Sequence, residues 1–358
     1  MQRALSAPGK LFLSGEYAVL WGGTARIGAV GPRTAALVRR RADRDIHLVL
    51  AEGRIVGTTT PVGVRWKGDV PPGFFFAART LDEALRAHGA EALGFELAIA
   101  PSPTSPDGHK LGMGGSACAT VLAAEAARFV LEDRYDALKL ALLAHGKAQQ
   151  LKGSGGDVAA IFAGGIVRYR RYAIDALVRA SDSGRLAAAL AESPPVDLWR
   201  LPSPKVHLAY AFTRKSASTR VLIGEVESRL GEEGRVAFVR TSDQLGDQLE
   251  EGLLRGDFAA VREAARELEV ALASLGPLET EAMRQVIALA ETCGCAGKLS
   301  GAGGGDGCIL FAPDEDALHA LTATLAARGF HAFALSQEPG LRGEGSADPE
   351  LLSWLHSG

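Results

Sequence analysis

The stretch "HKLGMGGSACATVLAAEAA" at 109–127 constrains this chain more than any other. A glycine-bearing loop runs without a break into an alanine-rich segment that reads as a helix. Two nucleotide fingerprints compete for it. A P-loop needs GxxxxGK[ST], which the chain does not contain. A dinucleotide turn needs a strand directly before its glycines and another after the helix. Here "SPDGHK" before Gly112 is polar loop, and "DRYDALKLALLAHG" after the helix is helical again. The physics of anion binding survives both failures. Gly112, Gly114 and Gly115 let backbone N–H groups crowd an anion without Cβ clashes. The helix behind them adds the positive end of its dipole, and Ser116 can reach a phosphate oxygen or a Mg2+ ion. The plainer alternative is a tight loop with Ser116 as the N-cap.

Two further stretches carry the same kind of signal. "KLSGAGGGDGCILF" (298–311) holds five glycines in seven residues, with Lys298 at one end and Asp306 inside, ahead of a strand. "APGKLFLSGEYAVL" (7–20) places Lys10 at the start of a strand and Glu16 and Tyr17 after a turn glycine. Arginine is the default cation: only nine of the 39 basic residues are lysines. Six of the nine, Lys10, Lys110, Lys147, Lys152, Lys215 and Lys298, fall in or beside Gly/Ser-rich stretches. A compact ammonium and a forked guanidinium are not interchangeable at a tight anion site.

At 358 residues the chain is long for one core, and strands come first with helices following in groups. Two α+β domains are expected, 1–195 and 196–358, divided at the prolines of "AESPPVDLWRLPSP". The tail from Glu338 reads as loose until "PELLSWLH". A net charge of −3 without a long basic tract gives no nucleic-acid footprint. No apolar run reaches membrane-spanning length, and the N-terminus lacks a signal core, so a cytoplasmic chain without membrane partners is expected. Cys118, Cys293, Cys295 and Cys308 form no CxxC pair and read as small hydrophobes in a reducing compartment.

Taken together, the three stretches resemble the three motifs of the GHMP small-molecule kinase superfamily, in order and in spacing, across about residues 4–335. The resemblance implies a two-domain fold: an N-terminal ATP-binding domain like the second domain of ribosomal protein S5, and a ferredoxin-like C-terminal domain. ATP and substrate would lie in the cleft between them. Within the superfamily the chain is most similar to the phosphomevalonate kinases. That likeness rests on Tyr17 in "SGEYAVL", Lys110 two residues before Gly112, "FTRKSASTRVL" (212–222), "GSGGDVAAIFAGG" (153–165) and Asp306. The chain departs from the pattern at Met113 and Gly115, which leaves Ser116 as the loop's hydroxyl, and in "GGTARIGAV". Where mevalonate kinases carry a Mg2+-binding glutamate, this chain has Gly146.

The implied activity is ATP- and Mg2+-dependent phosphorylation of phosphomevalonate to diphosphomevalonate, by a monomer or homodimer. The alternatives are a mevalonate kinase, another kinase of the superfamily, or a non-catalytic sensor on the same fold. Gly112, Gly114, Gly115, Ser116 and Ala117 would hold the nucleotide, with Ser116 on the metal. Lys10 would sit between acceptor and γ-phosphate, Lys110 at the loop mouth, and Asp157 would orient Lys10 or the acceptor. Lys215, Ser216, Ser218 and Thr219 would hold the substrate's phosphate or carboxylate. Glu16, Tyr17, Ser154, Gly303, Gly304, Gly305 and Asp306 complete the expected substrate site. Lys147, Lys152 and Glu125 read as solvated charge, Phe74–Phe76 as core, with a border of the adenine pocket as the alternative, and His145 and His109 receive no role.

Overall fold

The computed structural model describes residues 1–213 and 219–356. Two sheets organise the chain. In the first, β1 (Gln2–Ser14) and β2 (Thr24–Arg40) form a long antiparallel pair. β3 (Asp45–Leu50), β4 (Gly53–Thr60) and β5 (Gly63–Trp66) follow as an antiparallel meander. β6 (Phe95–Ile99) then inserts between β2 and β3, parallel to β3. With 17 residues, β2 serves two partners on one side: its second half pairs with β6 and its first half with β7 (Ile166–Arg170). β8 (Leu198–Leu201) extends the sheet beyond β7.

Helices α1 (Phe75–His88), α2 (Gly115–Leu131), α3 (Ala137–Ala148) and α4 (Gly156–Ala163) cover one face of this sheet. The composition of α2 follows from its place. It touches α1, α3, α4 and three strands, so Ala117, Ala123, Ala124, Ala126 and Ala127 are all fully buried. A helix enclosed on every side needs small residues for its neighbours' backbones to approach. Two short helices, α5 (Asp175–Asp182) and α6 (Leu186–Glu192), lead to β8.

The second sheet comprises β9 (His207–Phe212), β10 (Ala296–Ser300), β11 (Gly307–Ala312) and β12 (His331–Ala334), in the order β10-β11-β9-β12, every pair antiparallel. Between β9 and β10 run α7 (Thr219–Arg229), α8 (Glu232–Arg255), α9 (Phe258–Ala273) and α10 (Glu281–Thr292); α11 (Glu315–Ala327) joins β11 to β12. This strand order, with helical crossovers after the first and third strands, is ferredoxin-like. Leu11, Leu13, Leu111 and Met113 from the first part pack with Tyr210, Phe212 and Ile309 of the second in one core. Among the described residues no helix is long and apolar enough to cross a membrane. All four cysteines are free, and three are buried.

The tail corrects an expectation. The segment from Glu338 is not loose. Arg33 donates hydrogen bonds to the carbonyls of Pro339 and Gly340, and β13 (Arg342–Glu344) pairs with β1. The last helix, α12 (Pro349–His356), sets Leu351 and Leu355 against Leu37, Val49 and Ala98 on the sheet's second face. The physical reason is that β1 would otherwise be a bare edge beside an uncovered apolar face. Since β8 also pairs within the first sheet, we propose a division after β8 rather than at 195/196, with residues 337–356 counted in the first domain.

Candidate active site

A cleft of about 540 Å³ lies where the two sheets meet, lined by β1, the start of α2, the start of α4 and the loop after β10. Lys10, Lys110, Gly112, Gly114, Gly115, Ser116, Ser154, Asp157 and Asp306 all face it, so residues far apart in sequence converge on one space. Lys10 is fixed by its backbone, whose N–H donates to the Met113 carbonyl at 3.0 Å. Its side chain lies across the start of α2: a Cβ on Gly114 would come within 2.9 Å of Lys10 Cγ. Gly114 has φ +85 and is itself the N-cap of α2, making no side-chain cap. Ser116 therefore sits inside the first turn and is not the cap, which leaves its hydroxyl available to the cleft.

Gly112 answers a second close approach. A Cβ there would meet Asp306 Cγ at 2.6 Å, so the bare backbone admits the Asp306 carboxylate from the other sheet's loop. Burial raises the Asp306 pKa and the nearby Lys10 opposes that rise; Asp306 Oδ1 is buried without a hydrogen-bond partner. Ser102, also on the cleft wall, puts its hydroxyl where a side chain at Gly115 would go. The loop that has glycine at 115 thus has a hydroxyl beside it after all, supplied by the loop that follows β6.

His145, given no role from sequence, lies buried behind this wall, against three residues that line the cleft: Phe76, Ser116 and Asp157. Its Nε2 lies 3.4 Å from Ser116 Oγ and 4.0 Å from Asp157 Oδ2. The ring is 1 % exposed and leans on Phe76, with centroids 5.2 Å apart. Burial lowers its pKa; Asp157 opposes that effect and Lys10 adds to it. The signal for His145 was faint because a histidine in an apolar helix ordinarily reads as core. Of the Phe74–Phe76 run, Phe74 is buried, Phe76 lines the cleft and Phe75 is exposed.

Two of the expected substrate contacts, Glu16 and Tyr17, line the cleft and also make buried contacts of their own. Glu16 is 3 % exposed and its Oε1 pairs with the fully buried Lys298. Lys298 also donates to the Leu299 carbonyl at 2.6 Å. Glu269 of α9 accepts from Leu299 N–H at 2.8 Å, and burial pushes its carboxyl up to about 7 despite Lys298. Tyr17 donates its hydroxyl to the Ala302 carbonyl at 2.7 Å. Glu16 and Tyr17 thus tie the end of β1 to β10 and to the glycine loop after it, while both still line the cleft. Within that loop Gly303 and Gly305 are buried, and Gly304 N–H donates to the Leu278 carbonyl at 2.6 Å; Gly301, Ala302 and Asp306 are what the cleft sees. Ala117 likewise is fully buried and does not line the cleft.

Ser154 lines the cleft and its hydroxyl accepts from Gly156 N–H at 3.2 Å. Lys152 is exposed, whereas Lys147 pairs with buried Glu83 at 2.6 Å and so is neither solvated nor in the cleft. Glu125 is buried too, between Arg3 and Arg128. Lys215, Ser216 and Ser218 lie outside the described residues, as does the side chain of Thr219.

Comparison with known proteins finds similar chains over most of this one. The family descriptions "GHMP kinases N terminal domain" and "GHMP kinases C terminal" match residues 76–165 and 249–331. The chain is 30 % identical over 348 residues to a phosphomevalonate kinase of Streptomyces sp. (strain CL190), covering 88 % of this chain and 91 % of that protein. A Lin0012 protein from Listeria innocua superposes with a TM-score of 0.85 at 23 % identity, over 97 % of this chain and all of that one. The Streptococcus pneumoniae phosphomevalonate kinase in complex with phosphomevalonate and AMPPNP superposes with a TM-score of 0.78 at 21 % identity, over 94 % and 99 % of the two chains.

Proposed function

Because this chain belongs to the GHMP kinases and is a homologue of phosphomevalonate kinase, we propose that it transfers the γ-phosphate of ATP to the phosphate of (R)-5-phosphomevalonate. The product would be 5-diphosphomevalonate, on the mevalonate route to isoprenoids, in the cytoplasm. The observation that carries the reading is the convergence of Lys10, the start of α2 and Asp157 on one cleft.

A phosphate monoester has a second pKa of about 6, so the acceptor oxygen is already largely ionised near neutral pH. The chain need not remove a proton. The barrier is the approach of two polyanions, and catalysis rests on positioning and on cations placed between them. Lys10 is the cation laid along the start of α2, where backbone N–H groups and the helix dipole would hold the nucleotide's phosphates. Lys110, exposed at the mouth of the same loop, would screen the incoming phosphate. Asp157, within electrostatic reach of His145 together with Lys10, would orient the ammonium rather than act as a base.

The site also suits a Mg2+ ion. Among the described residues no group of three His, Cys, Asp or Glu side chains could hold a metal. Mg2+ on a nucleotide does not need one, since phosphates and water fill most of its sphere. The Ser116 hydroxyl, freed from capping, is the protein oxygen that would hold it. Bound there, the ion would offset charge on the phosphate oxygens.

The test is ADP release by the purified protein with phosphomevalonate and, separately, with mevalonate. Turnover with phosphomevalonate and little with mevalonate is expected. The reverse preference would make it a mevalonate kinase, and saturable binding without turnover would make it a sensor.

A further inference from the structure

His145 is buried, polar and unused by the mechanism above. Its Nδ1 is enclosed with no hydrogen-bond partner, while Nε2 faces two oxygens, Ser116 Oγ at 3.4 Å and Asp157 Oδ2 at 4.0 Å. A proton on Nδ1 would be a buried donor without a partner and would turn the Nε2 lone pair toward the Asp157 carboxylate, whereas a proton on Nε2 faces two oxygens. The neutral ring with its proton on Nε2 is therefore the form this pocket accepts. The two oxygens come from different helices, Ser116 from the first turn of α2 and Asp157 from the first turn of α4. His145 itself is on the last turn of α3, and Phe76 of α1 fixes the plane of its ring.

We propose that His145 is a positioning residue: its Nε2–H donates to the Ser116 hydroxyl and, from 4.0 Å, attracts the Asp157 carboxylate, which keeps the two in fixed relation across the cleft wall. Among the described residues neither the Ser116 hydroxyl nor Asp157 Oδ2 has another side-chain hydrogen-bond partner that bridges the two helix starts. Asp157 Oδ1 is occupied by the Val158 N–H at 3.0 Å, so Oδ2 is the atom left to orient. This inference rests on the kinase reading for its effect on turnover, but not for its effect on nucleotide affinity.

Three variants separate the nitrogen from the ring. His145→Phe keeps an aromatic ring against Phe76 and deletes Nε2. His145→Gln carries an amide nitrogen near the Nε2 position, and His145→Asn carries one near Nδ1. In steady-state assays His145→Phe should lose about 10²-fold in kcat, the scale of a misplaced reacting group, with KM for phosphomevalonate little changed. His145→Gln should recover most of that loss and His145→Asn should not. Affinity for a non-hydrolysable ATP analogue with Mg2+, measured by calorimetry, should follow the same order. Far-UV circular dichroism and melting temperature identify any variant that fails to fold; should Phe fail, Asn takes its place as the variant lacking Nε2. The proposal is overturned if folded His145→Phe keeps wild-type kcat and nucleotide affinity. It is equally overturned if Gln is no better than Asn in both. Failure of the wild-type protein to turn over either acceptor would sink the kinase reading, while the affinity series would still decide the role of His145.

Discussion

Each polar side chain on the cleft wall has an environment that narrows what it can do. Lys10 lies along the start of α2 and within electrostatic reach of Asp306 and His145. Asp157 is one-fifth exposed and already accepts from its neighbour's N–H. If screening dominates, Lys10→Ala should lower kcat by about 10²–10³-fold, the usual cost of removing a preorganised electrostatic partner. Asp157→Asn should then cost about tenfold, below the usual range for a lost general base. Single-turnover rates with saturating phosphomevalonate decide the order, and the reverse ranking would refute the screening mechanism. Lys10, Ser116, Asp157 and Asp306 were legible in the sequence because glycine loops announce them. His145 was not, since nothing in "ALLAHGKA" distinguishes a core histidine from one that faces a hydroxyl and a carboxylate. Lys298 and Glu16 were legible as charged residues beside glycines, but their pairing across 282 residues is a product of the fold.

At the level of elements, the clasp between β1 and the loop after β10 is held by Glu16, Lys298, Glu269 and Tyr17. Burial is the chief cause that pushes the Glu269 carboxyl from an ordinary glutamate's 4.5 up to about 7, with Glu279 and Glu16 adding to it and Lys298 opposing. The folded state therefore binds more protons than the unfolded one between those two values. Stability falls as pH rises through that window, by at most about 1.4 kcal/mol per pH unit for this group. Glu269→Gln removes the titration, so its stability relative to wild type should improve from pH 5 to pH 8. Urea unfolding at the two pH values checks this; an unchanged difference would mean that Glu269 titrates normally. The closing strand, helix and strand of the second sheet were legible in "GCILFAP", "DALHALTATLAARG" and "HAFALS", whereas the ferredoxin-like character of the domain came from the family resemblance and not from this alternation. The tail was not, because β13 has three residues, too few to show a period.

Across the whole molecule, the end of the chain closes what its beginning opens. Leu351 is 1 % exposed and sits with Leu355 on Leu37, Val49 and Ala98. Leu351→Ala should cost about 2–5 kcal/mol of stability, the range for emptying a core site. A urea-unfolding loss below about 0.5 kcal/mol, the scale of an ordinary surface change, would mean that α12 is undocked in solution. Synthesis gives this closure a further meaning. On the ribosome β1 emerges more than 300 residues ahead of its outer partner, residues 342–344. Until then the nascent first sheet carries an uncapped edge beside a patch of Leu37, Val49 and Ala98 that faces water. Such edges and patches are where growing chains stick to one another. The vulnerable interval ends only when β13 and α12 have joined the sheet.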